Sequence, residues 1–317
     1  MAKVIYGGQS YECGEDSVLD CLTAQGVPIP SSCRSGNCQT CLMRAVKGKV
    51  PADAQAGLKP TLAAQNYFMA CSCHPQSDIE VVMPEAGINR LAARVASVEY
   101  LNADILGIRL NPSRPLEYRA GQFINLFKDD VTSRSYSLAS LPALDEPLFL
   151  NVRKVPGGKV SNWLFEKLRA GDEIEISEAT GDCFYVPGNA GQDMLLIATG
   201  TGLAPLYGIV RDALQNGHRG RLVLYHGSYD AGGFYLAEEL RELERKHPNF
   251  SFVPCVSEGI APAGYEQGMV LDVALRDHPD LTGWRVFLCG NPNMVSAAKK
   301  QAFLAGASMR EIYADPF

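Results

Sequence analysis

The sequence has no long hydrophobic run. Nothing in its 317 residues approaches the roughly 20 consecutive apolar residues that cross a bilayer. The opening stretch, MAKVIYGGQSYECGE, lacks the apolar core of roughly 7 to 15 residues that marks a secretory signal. The expectation is a soluble, cytoplasmic chain with no membrane contact. Basic residues are in short supply too. Lys and Arg number 29 against 35 Asp and Glu, scattered rather than clustered, for a net charge of -6. That argues against a nucleic-acid partner and leaves docking onto basic protein patches open. No internal repeat or low-complexity tract is present. Cysteine, by contrast, is abundant, at ten residues. In a reducing compartment such a count points to metal or redox chemistry before disulfides.

Seven of the ten cysteines precede residue 85. The stretch Cys33-Arg-Ser-Gly-Asn-Cys38-Gln-Thr-Cys41, with Cys71 thirty residues on, gives the C-x4-C-x2-C…C spacing of a plant-type [2Fe–2S] cluster. Three thiolates come from one tight loop and the fourth from a distant turn. Ser35 and Gly36 are small enough for loop N–H groups to approach the sulfides, and Arg34 places a positive charge beside an anionic cluster. A zinc site on Cys38, Cys41, Cys71 and Cys73 accounts for the two close pairs. It leaves Cys33, Gly36 and the four-residue spacing unexplained. Cys73 competes with Cys71 as fourth ligand. Cys71 is preferred because a turn, Cys73-His74-Pro75, follows it. Cys13, Cys21, Cys183 and Cys255 read as small buried hydrophobes.

Beyond the first segment, residues 90 to 188 read as short strands with Gly and Pro turns, the pattern of a barrel or sandwich. From about 192 onward, apolar strands such as Met194–Ala198 alternate with helical patterns, which argues for a doubly wound parallel sheet. Pro84–Gly87 and Pro187–Gly191 are plausible linkers. The expected domains are therefore 1–87, 88–188 and 189–317.

The strand-rich segment carries Arg134-Ser135-Tyr136-Ser137. On one extended strand this supplies a cation for a pyrophosphate, an aromatic to pack on a flavin ring and a hydroxyl for the ring's reactive edge. Alone, four residues are a weak signal. About twenty residues on, Gly157-Gly158-Lys159-Val160-Ser161 precedes a helical pattern and reads either as an ordinary capped turn or as a phosphate site. Its place after R-x-Y-S favours the phosphate site. Thr199-Gly200-Thr201-Gly202-Leu203-Ala204-Pro205 follows an apolar strand and opens a helix, as a pyrophosphate loop does, although it is not G-x-G-x-x-G. Cys289-Gly290-Asn291-Pro292-Asn293-Met294 ends the strand taken as the last of the sheet, where ligands bind. Alone, Cys289 reads as a buried strand-end thiol. After the strand beginning at Leu222 come Ser228 and Asp230. No Arg or Lys stands there for a 2′-phosphate, so NADH is favoured over NADPH.

With these three constellations in this order, the chain resembles the single-chain NADH-dependent reductases of bacterial oxygenases, the group of benzoate dioxygenase and methane monooxygenase reductases. The resemblance covers essentially all of the chain. It implies a β-grasp α+β ferredoxin domain, an antiparallel β-barrel flavin domain and an α/β nicotinamide domain of the ferredoxin–NADP reductase type. It implies cluster ligands Cys33, Cys38, Cys41 and Cys71. FAD would be held by Arg134, Ser135, Tyr136 and Ser137, with Val152 and Arg153 along it and Gly158, Lys159, Val160 and Ser161 at its phosphates. Gly200, Thr201, Gly202, Leu203, Ala204 and Pro205 would hold the NADH pyrophosphate. Ser228 and Asp230 would meet the ribose, and Cys289, Gly290, Pro292 and Met294 the nicotinamide side. Tyr136, Ser137, Cys289 and Phe317 would flank the reaction itself. Phe317 would lie over the flavin and be displaced by nicotinamide, unless the terminus is simply frayed. Two departures stand out. Thr199 occupies the first glycine position of the family's Gly-Gly-Thr-Gly loop. Gly181-Asp182-Cys183-Phe184-Tyr185 stands where many relatives have Gly-Pro-Phe-Gly.

The implied reaction moves an electron pair from NADH to the flavin, then single electrons through the cluster to an acceptor. No acid–base pair is evident in the sequence. The expected partner is a terminal oxygenase (Rieske dioxygenase, diiron monooxygenase or cytochrome P450) or another one-electron acceptor, with the chain a monomer. The rivals are a free-standing NADH dehydrogenase acting on a quinone, dye or small ferredoxin, and a zinc-bearing interaction protein with a nucleotide-sensing domain.

Overall fold

The computed structural model describes residues 2–31, 34, 36, 39, 41–84, 89–129 and 132–317. The chain forms two compact units, Met1–Ile88 and Asn89–Phe317. The flavin and nicotinamide segments, expected as separate domains meeting at 188/189, pack into the second unit together.

The first unit is a five-stranded mixed sheet in the order β2-β1-β5-β3-β4. Its strands are β1 (Lys3–Tyr6), β2 (Gln9–Glu12), β3 (Leu42–Lys47), β4 (Tyr67–Met69) and β5 (Ile79–Val82). Two helices, α1 (Val18–Ala24) and the short α2 (Pro60–Ala64), pack with it. The Ser17 hydroxyl caps α1 by accepting from Asp20 N, and Leu19 and Leu22 bury against Val4, Met43, Phe68 and Ile79. Cys13 and Cys21, expected as independent buried hydrophobes, are joined in a disulfide. The turn of residues between β2 and α1 folds the two thiols onto each other, a pairing that their separation of eight residues did not reveal.

The second unit begins with six antiparallel strands in the order β10-β7-β6-β11-β8-β9. They are β6 (Arg90–Tyr100), β7 (Ile105–Pro112), β8 (Phe123–Phe127), β9 (Ser133–Ser137), β10 (Leu148–Arg153) and β11 (Glu173–Ser177). A bridge between Leu138 and Leu150 joins the end of β9 to β10 and closes the sheet into a barrel. Val95, Ile108, Leu126, Leu150 and Ile176 fill it, and α3 (Lys159–Lys167) adds Val160 and Leu164. A parallel sheet follows, in the order β15-β14-β13-β12-β16-β17. Its strands are β12 (Met194–Thr199), β13 (Leu222–Ser228), β14 (Phe250–Val256), β15 (Glu266–Gln267), β16 (Arg285–Gly290) and β17 (Ile312–Pro316). β16, expected to be the last strand, is therefore followed by a sixth that pairs with it, Val286 opposite Ile312.

Strand alternation sorts the sheet's apolar residues onto its two faces. Leu196, Ala198, Leu224 and Phe287 pack with one helical layer and Leu195, Ile197, Val286 and Leu288 with the other. On the first side, Leu206, Ile209 and Val210 lie on a helix over Leu203–Gln215, and Leu240 on one over Ala237–Lys246. On the second, Val273 and Ala274 belong to a helix over Val270–Asp277, and Val295 and Ala298 to one over Pro292–Leu304. The chain steps outward from β12 to β13 on one side and returns to β16 on the other. That reversal opens a crevice at the carboxyl ends of β12 and β16. Barrel and sheet are held together by Phe149, Ala139 and Ala204, and by Arg211, whose Nη1 and Nη2 donate to both oxygens of Asp145 at 2.5 and 2.8 Å.

Candidate functional site

Two clefts open in the second unit. The larger, about 530 Å³, runs along β9 and β10 and ends at Gly290, Asn291 and Phe317. The smaller, about 510 Å³, lies past the ends of β12 and β13. Arg153 and Thr199 line both, so the two are contiguous.

The larger cleft collects most of the expected flavin residues. Arg134, Ser135, Tyr136 and Ser137 all line it. So do Gly158, Lys159, Val160 and Ser161, at the start of α3 (Lys159–Lys167). That turn is tightly built: Gly158 N donates to Val155 O at 2.9 Å, and the Ser161 hydroxyl accepts from Val155 N at 3.2 Å. The open N–H groups of α3 form one end of the cleft, with the cations Arg134 and Lys159 lining it as well, the environment a pyrophosphate needs. Alternation decides the rest. Val152 is fully buried in the barrel core, so it contributes backbone at most, while Asn151 and Arg153 on either side of it line the cleft. Arg153 Nε meets Asp104 at 3.1 Å.

The inner end holds a feature with no local sequence signal. The Ser137 hydroxyl lies 3.3 Å from Asp315 Oδ2, across 178 residues of sequence. Burial pushes the Asp315 carboxyl up to about 6, against the pull of the Ser137 hydrogen bond. The two form a hydrogen-bonded pair in which the Asp315 carboxyl is the titrating member and the Ser137 hydroxyl the donor. The folded state therefore keeps the Asp315 proton at pH values where the unfolded chain has released it. Asp315 thus weakens the fold as pH rises from about 4 through 6, and has little effect below that. Asp315→Asn is expected to melt higher than the parent at pH 7.5, by the equivalent of about 1–2 kcal/mol, with the difference shrinking toward pH 4. A gain that does not vary with pH would contradict this account. Phe317 N donates to Gly290 O at 3.0 Å, and its ring lines the cleft.

At the crevice, Gly200–Gly202 form a 3-10 turn leading into the helix that starts at Leu203. Gly200 adopts φ +52, and its carbonyl accepts from His226 Nε2 at 3.1 Å. Full burial pushes His226 down to about 4, which keeps the ring neutral. Thr201 and Ala204 line the larger cleft and Gly200 the smaller, whereas Gly202, Leu203 and Pro205 are buried. Thr199 uses its hydroxyl to accept from Asn291 N at 3.0 Å, so the residue that replaces a glycine ties the two crevice loops together. Ser228 and Asp230 line the smaller cleft, with Asp230 accepting from Gly232 N at 2.9 Å.

The expected place for Cys289 is not the observed one. Its side chain is fully buried, on the same sheet face as Phe287, with Sγ 3.7 Å from Cys183 Sγ. Burial first, and Cys183 second, raise its pKa well above the ordinary thiol value. Gly290 and Asn291 line the larger cleft in its stead. Pro292 and Met294 line neither cleft. Pro292 opens the helix over Pro292–Leu304, and Met294 packs on the core. Cys183, in the segment that departs from Gly-Pro-Phe-Gly, is the buried thiol that Cys289 meets there.

In the first unit Cys33 and Cys38 lie outside the described residues. Cys41 and Cys71 face each other within hydrogen-bonding reach, and Ala70 N donates to Cys41 O at 3.1 Å. Gly36 adopts φ +75, a conformation that favours glycine, and a Cβ there would come within 2.7 Å of Ser72 Oγ, next to Cys71. Arg34 pairs with Asp20 at 3.0 Å, which offsets part of the charge expected to face the cluster. Cys73 is fully buried in the core of the unit.

Comparison with known proteins agrees with this arrangement. Residues 5–76 match the 2Fe-2S iron-sulfur cluster binding domain, 93–185 the oxidoreductase FAD-binding domain and 196–300 the oxidoreductase NAD-binding domain. The reductase subunit of an aromatic O-demethylase from Amycolatopsis sp. is 36% identical, covering 99% of this chain and 98% of its own. The ferredoxin–NAD(P)+ reductase component of the naphthalene 1,2-dioxygenase system of Pseudomonas putida is 34% identical over 95% of this chain and 93% of its own. The crystal structure of the Amycolatopsis cytochrome P450 reductase GcoB superposes with a TM-score of 0.71 at 34% identity, covering 100% of this chain and 99% of that one. The fold and its sites define a flavin- and iron–sulfur-dependent oxidoreductase with a ferredoxin–NADP reductase-like core. The chain belongs to the family of oxygenase-system reductase components that carry [2Fe–2S], FAD and NAD-binding domains in that order. Among the described residues no helix is long and apolar enough to cross a membrane.

Proposed function

We propose that this chain takes electrons from NADH in the second unit and delivers them singly, through the cluster of the first, to a terminal oxygenase component. The observation that carries the reading is the continuity of the two clefts at Arg153 and Thr199, which lets a nucleotide in the smaller cleft reach the occupant of the larger one. FAD, when bound, supplies the conversion between paired and single electrons. Arg134, Lys159 and the amino end of α3 would hold its phosphates, Tyr136 and Phe317 would pack beside it, and the Ser137 hydroxyl, backed by Asp315, would offer it a hydrogen bond. Gly200–Gly202 present backbone N–H groups to the nicotinamide nucleotide. Cys33, Cys38, Cys41 and Cys71 ligate the cluster.

Asp104 and Asp230 line the smaller cleft, and the one cation lining it among the described residues, Arg153, is paired with Asp104. A 2′-phosphate would meet carboxylates there, so kcat/KM is expected to favour NADH over NADPH by about tenfold or more. The chain works as a cytoplasmic monomer, and its acceptor is a Rieske, diiron or P450 oxygenase. The decisive measurement is anaerobic reduction by NADH, with the flavin followed by absorbance and the cluster by EPR. Cys38→Ser should leave flavin reduction intact and stop cytochrome c reduction. Unchanged cytochrome c reduction would remove the cluster from the path, and a preference for NADPH would contradict the reading of Asp230.

A further inference from the structure

Asn151 lies in the middle of β10 and is 3% exposed. Neither the oxygen nor the nitrogen of its carboxamide has a hydrogen-bond partner among the described residues, and the side chain lines the larger cleft. A buried carboxamide with both ends unmet is destabilising by more than an ordinary hydrogen bond returns. A strand otherwise apolar from Leu148 to Val152 gains nothing from holding one, unless a ligand completes it.

Its position says which part of a ligand does so. The Leu138–Leu150 bridge sets Asn151 beside Ser137, at the inner end of the cleft where Ser137 meets Asp315. Arg134 is three residues back along β9, about 10 Å away. Asn151 is thus set for a ring rather than a pyrophosphate. A carboxamide offers donor and acceptor side by side in one plane. Its complement is a planar edge with acceptor and donor adjacent, as in a cyclic imide. The pyrimidine end of a flavin ring has such an edge, and phosphate and ribose do not.

We propose that Asn151 is a flavin-binding residue whose carboxamide pairs with the imide edge of the ring, fixing the ring's orientation and tuning its redox potential. This rests on the larger cleft being the flavin site. The test compares Asn151→Leu, Asn151→Asp and, as a control on the cleft, Arg134→Ala in the full chain. FAD affinity is read from flavin fluorescence quenching, the flavin midpoint potential by spectroelectrochemistry, and stability from melts of FAD-free protein. Leucine keeps asparagine's branched outline while removing both unmet polar ends, and the cleft beside residue 151 has room for its larger methyls, so the FAD-free Asn151→Leu protein should melt at or above the parent. Its FAD affinity should fall about tenfold, from the loss of two hydrogen bonds, with a shifted potential. Its KM for NADH at saturating FAD should stay within twofold. Asn151→Asp places a carboxylate at the ring and should lower the potential. Parental FAD affinity and potential in both Asn151 variants would overturn the proposal. So would a rise in the KM for NADH alone, which would mean that the carboxamide reads the nicotinamide amide instead. If Arg134→Ala loses FAD while the Asn151 variants keep it, the cleft reading survives and the Asn151 assignment fails. If none of the three changes FAD binding, the cleft reading itself fails.

Discussion

Gly202→Ala is expected to abolish productive nicotinamide binding while leaving the flavin and cluster spectra intact. The reason is close approach, not conformation. Gly202 has φ -59, open to any residue. A Cβ there would collide with the carbonyl of Cys289 and sit 2.7 Å from Gly290 N. All of those atoms are backbone, at the end of a central strand paired with β12. The sheet cannot move aside cheaply, so the turn over Gly200–Gly202 must lift and swing its N–H groups off the nucleotide. KM for NADH should rise by at least about 100-fold, near 3 kcal/mol. Photoreduction, which bypasses the nucleotide, should still reduce flavin and cluster. A KM within threefold of the parent would mean that the crevice is softer than its packing implies.

The second large effect concerns the fourth cluster ligand. Cys71→Ser should lose the iron–sulfur absorption and EPR signal, and with them about 100-fold or more of cytochrome c reduction, while NADH still bleaches the flavin. Cys73→Ala should keep all three. Cys71 is partly exposed and faces Cys41, next to the Gly36–Ser72 approach. Cys73 is fully enclosed by the core around α1, and its carbonyl accepts from Val18 N at 2.8 Å. Truncating it should cost only about 1 kcal/mol of stability, from a small cavity. Loss of the cluster in Cys73→Ala with retention in Cys71→Ser would reverse the assignment.

The parts of the fold that were legible are those with a strong local period. Met194–Ala198 is apolar without interruption because β12 is buried on both faces, and Leu206, Ile209, Val210 and Ala213 repeat at helical spacing. β15 has two residues, and β17 carries Asp315 and Pro316 among its five, so neither shows an apolar period. The segments that line the two clefts were legible where each run of residues is continuous in sequence, as at 134–137 and 158–161. Asp315 was not, since its meaning depends on Ser137 at the far end of the unit. Alternation along Phe149, Asn151 and Arg153 held the signal for Asn151, and alternation along Phe287 and Cys289 the signal that this thiol points inward. The Cys13–Cys21 pairing had no such trace.

The seam between barrel and parallel sheet has a consequence for how such proteins diversify. Ser137 with Asp315, Cys183 with Cys289 and Arg211 with Asp145 each draw one partner from either half of Asn89–Phe317. Recombination that exchanged only the nucleotide half would have to match all three at once. The first unit buries its own core and shares none of these pairs. A lineage acquiring a new acceptor therefore has an inexpensive route: replace the cluster-bearing segment whole and inherit the other 229 residues as an indivisible module.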